Sequence, residues 1–159
     1  MKIKIFLTAL SFLICLPSLS FAKAELSMFK EKLNWASWDG RAGDKACFET
    51  IVIKEGRDVP DMGNEPCQYT EGKYSITLSG PPGTTVTFYG LYDFKKENGF
   101  LTIKKTDDRM LWLIDLTAFP DGQWHTSEAN NGSGAFEAFY SASPTFEQSV
   151  FSVKWGDYQ

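Results

Sequence analysis

The sequence predicts a mainly β protein: one antiparallel β-sandwich or jelly-roll-like domain with one short N-terminal helix. Three observations lead there. After residue 40, Gly, Pro, Asn and Asp recur at short intervals, and the runs between them are rich in Val, Ile, Thr, Phe, Tyr and Trp. Inside those runs apolar residues alternate with Ser or Thr, as in Tyr74/Ile76/Leu78 and Val86/Phe88, so one face of each strand is expected to be buried and the other wet. The length, 159 residues, suits one domain better than two.

Residues 1–22 read as a secretory signal peptide. Lys2 and Lys4 open it, an apolar run from Ile5 to Leu16 follows, Pro17 breaks the run, and Ser20-Phe21-Ala22 ends it with small residues at the positions a signal peptidase reads. The run is shorter than the roughly 20 residues a membrane-spanning helix needs. Cys15 follows Ile14 rather than a small residue, so lipid attachment there is not expected. Cleavage after Ala22 leaves residues 23–159 as a secreted or periplasmic domain with no membrane insertion. The whole chain carries a formal charge of −4. Removing two lysines and no acids leaves 14 Lys and Arg against 20 Asp and Glu, an acidic surface ill suited to phosphate contacts, so no nucleic-acid partner is expected.

Residues 23–38 are the helical candidate. Leu26, Phe29, Leu33 and Ala36 form one stripe at helical spacing, Lys30, Glu31 and Lys32 lie between them, and Asp39-Gly40 ends the segment. So short a helix is expected to dock on the sheets. Strands are expected near 46–54, 73–79, 84–91, 100–105, 110–116, 123–127, 135–140 and 149–155, eight in all. Turn chemistry separates them: Gly80-Pro81-Pro82-Gly83, Asn98-Gly99 and Pro120-Asp121-Gly122. In the run from Met110 to Leu116 both alternating sets are apolar, apart from Asp115. Such a strand is expected mid-sheet with the N-terminal helix on its outer side, or else under a protein partner.

Cys47 and Cys67 are the only cysteines after residue 22, and an even pair in an exported chain reads as one disulfide closing a polar loop. Within that loop Asp58, Asp61 and Glu65 are hard oxygen donors at short spacing. Calcium is the one ion they suit, and no other cofactor is expected. His125 is the single histidine, no Gly-x-Ser-x-Gly or His-Glu-x-x-His occurs, and no phosphate-binding Gly-rich loop is present. The common catalytic motifs are therefore missing.

Aromatic residues make up 15% of the chain, and all five tryptophans follow residue 22. Trp112 and Trp155 fall inside strands and are expected in the core; Trp35 and Trp38 would anchor the helix. Trp124 opens a strand after a tight turn and precedes the polar loop 128–134, which also holds the glycosylation triplet Asn131-Gly132-Ser133. Trp124, His125, Asn130, Asn131 and Tyr92 are the candidate ligand-binding residues, an aromatic and polar loop surface of the kind that holds sugar rings. The expected function is an exported, non-enzymatic binding module for a glycan or other polar small ligand. The alternative is an envelope-associated structural or protein-interaction domain with a protein partner, and a secreted hydrolase is the remaining reading.

Overall fold

Among the described residues, alternation of side chains along nine strands builds two antiparallel sheets that face each other. The computed structural model describes residues 23–30, 50–65 and 74–157. Sheet A contains β1 (Glu25–Lys30), β2 (Ile51–Lys54), β3 (Tyr74–Leu78) and β6 (Leu111–Leu113), in the order β2-β1-β3-β6. Sheet B contains β4 (Thr85–Tyr89), β5 (Phe100–Lys105), β7 (Trp124–Ser127), β8 (Phe136–Ser141) and β9 (Ser152–Trp155), in the order β7-β8-β5-β4-β9. The predicted antiparallel sandwich is present.

One face of each sheet makes the core. Leu26, Met28, Ile51, Ile53, Ile76, Leu78 and Leu111 come from sheet A; Val86, Phe88, Leu101, Ile103, Ala138 and Val153 come from sheet B; all are buried. Val59 ties the layers' rim to sheet B through a backbone bridge to Val153.

The expected helix over 23–38 is corrected by the structure. Its first part is β1, a central strand of sheet A paired with both β2 and β3. Leu26 and Met28 point inward with Ser27 between them, so the period is two rather than three and a half. The segment's remainder, with Trp35 and Trp38, lies outside the described residues, as do residues 1–22, Cys47 and Cys67. The helix among the described residues is α1 (Pro144–Gln148), one turn inside the region expected to lead into the last strand. Its start is built from Ser143, whose hydroxyl accepts the Thr145 N–H, and from Pro144 in the first turn; Phe146 buries against the core.

The expected mid-sheet position of 110–116 is also corrected. β6 is an edge strand of sheet A. Leu111 is buried, whereas Met110, Trp112 and Ile114 are 60%, 53% and 62% exposed. Trp112 is therefore not a core residue.

The predicted Asn98-Gly99 turn closes as expected. Gly99 sits at φ +80°, and a Cβ there would lie 2.7 Å from the Ser141 carbonyl oxygen and from the Ser143 Cβ. Both the backbone conformation and the space require glycine.

Candidate functional site

The outer face of sheet A is built by register. Val52, Ser27, Thr77 and Trp112 lie opposite one another across β2, β1, β3 and β6, in one row. Beside that row Phe29 pairs with Ser75, and Ile114 follows the Leu113–Ile76 pair on the same side. The middle strands thus carry Ser27 and Thr77 in that row, with Phe29 and the buried Ser75 beside it, while Met110, Trp112 and Ile114 stand as a ridge along one edge. Val52, on the other edge, is also exposed. Four of the six exposed large apolar side chains among the described residues belong to this face. This grouping of exposed apolar side chains makes the face the candidate site.

The free edge of β6 is closed by the loop after β7. The Gly134 N–H donates to the Met110 carbonyl at 2.8 Å. The Ser133 hydroxyl accepts the Trp112 N–H at 2.9 Å and donates to the Trp112 carbonyl at 3.1 Å. The Arg109 guanidinium donates to the Asn130 carbonyl at 2.7 Å. The Asn130 side-chain oxygen accepts the N–H groups of Gly132 and Ser133, which folds the loop on itself. A strand edge satisfied in this way offers no template for strand addition.

The candidate ligand residues from the sequence are not gathered into one surface. Trp124 lies on the outer face of sheet B against Phe139, ring centroids 5.6 Å apart. His125, the next residue, faces the other side of β7 and packs on Phe119 at 5.9 Å. Asn130 and Asn131 are in the loop that clasps β6. Tyr92 is near β9, on the opposite flank of the five-stranded sheet, edge-on to Phe151 at 5.0 Å. Four strand spacings separate those flanks, about 19 Å.

The calcium candidates are each engaged elsewhere. Asp58 accepts the Trp155 N–H at 2.9 Å. Asp61 caps the short turn Met62–Asn64 through the Gly63 N–H at 2.7 Å. Glu65 pairs with Arg57. Among the described residues no group of three or more His, Cys, Asp or Glu side chains converges as a metal site.

A shallow crevice lies between Tyr74, Asp115, Thr117 and Phe146, with room for about one water. Asp115 accepts both the N–H and the hydroxyl of Thr117, at 2.8 and 2.6 Å, and burial pushes the Tyr74 phenol above its ordinary range. The crevice is structural in scale. Among the described residues no helix is long and apolar enough to cross a membrane.

The sequence favours a mid-sheet place for residues 110–116, with a face open to a partner as the alternative; the structure sets aside the mid-sheet place. The signal was present in the doubly apolar run; what it lacked was the strand order. Comparison with family models, with curated proteins and with solved structures finds no match to this chain.

Proposed function

We propose that the chain is an exported, non-enzymatic protein-interaction domain that pairs with a second copy of itself through the outer face of sheet A. The observation that carries this reading is the exposure of Met110, Trp112 and Ile114 along one strand whose edge is already closed. Shape supports a second copy. Facing sheets stand about 10 Å apart, and that gap fills best when large side chains oppose small ones. A two-fold axis running along the strands between β3 and β6 lays Trp112 of each copy over Thr77 of the other, and the contact closes on itself. That axis overlaps β3 and β6 of the two copies and leaves β1 and β2 outside the contact, so the shared face is roughly 200 Å² in projection. Such a footprint lies below the roughly 1,200 Å² of specific stable interfaces and suits a weak, reversible dimer.

A photo-crosslinking residue placed at position 112 tests the pairing. The expected product is a covalent dimer whose crosslinked peptide contains Thr77. Crosslinks confined to other segments, or no dimer at concentrations where wild type is crowded, would overturn it.

Export and the disulfide belong to the same proposal. Ala24, two residues after the cleavage position read in the sequence, is buried and its N–H donates to the Glu55 carboxylate at 3.0 Å. β2 and β3 both run antiparallel to β1 and enter sheet A at the same end, one strand apart. Cys47 precedes the first by four residues and Cys67 the second by seven, an arrangement that supports a bridge. The bridge would stabilise the fold by about 3 kcal/mol. Intact mass spectrometry of the exported protein is expected to give Lys23 as the first residue and no alkylation until reduction; free alkylation of both thiols would refute the bridge.

A further inference from the structure

The two exposed tryptophans keep different company. Trp112 stands between Met110 and Ile114, both also exposed. Trp124 is 48% exposed on the outer face of sheet B, beside Phe139 across the strand pair and with a polar row to one side. Two residues on, Thr126 pairs with Glu137, and Glu137 pairs with Lys104. The Lys104 ammonium and the Glu137 carboxylate are 3.4 Å apart, with side chains 44% and 38% exposed. Phe139 packs beside the indole, ring centroids 5.6 Å apart at an interplanar angle of 57°.

We infer that Trp124, Thr126, Glu137 and Lys104 form a second binding site, for an uncharged pyranose unit of a glycan. A pyranose ring presents an apolar C–H face and a rim of hydroxyls. The indole offers a flat apolar surface held in place before the ligand arrives. Trp124 and Thr126 are about 7 Å apart along the strand, so a ring stacked on the indole brings its rim hydroxyls to the polar row. There Glu137 accepts, Lys104 donates, and Thr126 does either. The ligand is uncharged because carboxylate and ammonium already neutralise each other; an ionic sugar would have to break that pair. A protein partner fits this patch poorly, since charged residues are depleted at the centres of protein interfaces. The sequence expected a sugar at Trp124 through His125 and the loop 128–134. Here the polar groups come from the sheet face instead, because His125 points to the other side of the strand and the loop is bound to β6.

The site lies on the opposite sheet from the pairing face, so each stands or falls alone. Full-length exported protein is tested for retention on insoluble β-glucan and chitin and for retardation in gels containing mannan or alginate. Retention on at least one uncharged polymer is expected, weakened about tenfold by Trp124→Ala. Glu137→Gln is expected to weaken it several-fold, Trp124→Phe to keep part of it, and Trp112→Ala to leave it unchanged. Absence of retention on every uncharged polymer, preference for alginate, or wild-type retention by Trp124→Ala in a protein with an unchanged melting curve would each overturn the site.

Discussion

Phe88→Ala is expected to destabilise the domain by about 3–5 kcal/mol, the range for deleting a fully buried phenylalanine. Phe88 has no solvent exposure and lies on the inner face of β4, opposite Leu101 on one side and Val153 on the other. Its ring fills the middle of the gap between the sheets. Removing it takes away apolar area and leaves a cavity that two hydrogen-bonded neighbours cannot close. For a domain of this size the melting temperature should fall by roughly 10–20 °C. Thermal unfolding followed by circular dichroism checks it; a fall of only a degree or two would mean that the sheets do not pack through this residue.

Lys105→Ala is expected to cost about 3 kcal/mol, whereas Lys105→Met should cost little. Lys105 is fully buried at the end of β5. Its ammonium donates to the Arg109 carbonyl and lies 3.8 Å from Asp107, whose two oxygens accept the N–H groups of Arg109 and Ala135. The lysine thus pins the 106–110 turn that leads into β6. Burial lowers its pKa, and the nearby Asp107 and Asp108 carboxylates only partly oppose that shift. The buried charge is therefore a net cost, while the stem and the hydrogen bond are what the fold uses. Methionine keeps the volume and removes the charge at the loss of the hydrogen bond to Arg109; alanine loses that bond and leaves a cavity as well. The sign of the pH effect follows. The unfolded chain holds the Lys105 proton more tightly than the folded one, so wild type should gain stability over Lys105→Met as pH rises through the lowered folded pKa towards about 10.4. Urea unfolding at neutral and alkaline pH measures both effects. A gap between wild type and Lys105→Met that widens in the opposite direction would contradict the burial argument.

Most of sheet B and the inner half of sheet A were legible in the sequence, because Val86/Phe88, Leu101/Ile103 and Ile76/Leu78 alternate cleanly with polar residues. β1 was not. Leu26 and Phe29 fit a helix, Leu26 and Met28 fit a strand, and over six residues the two periods overlap; pairing with both β2 and β3 decides between them. The exposure of Trp112 was hidden for a related reason. Alternation assigns two faces to a strand and does not say which faces are covered, and β6 lies at an edge. The clasp of Ser133 on Trp112 joins residues 21 apart in sequence, beyond any local pattern. The separation of Tyr92 from Trp124 is likewise a matter of strand order, because both looked like loop-end aromatics.

Sedimentation velocity over a concentration series, on wild type and Trp112→Asp, addresses the pairing face most directly. Wild type should pass from monomer to dimer as concentration rises. The shift should strengthen with salt, because both copies are acidic and screening relieves their repulsion. Trp112→Asp should stay monomeric at every concentration. Wild type that remains monomeric throughout, or a variant that dimerises as wild type does, would contradict the docking role assigned to sheet A.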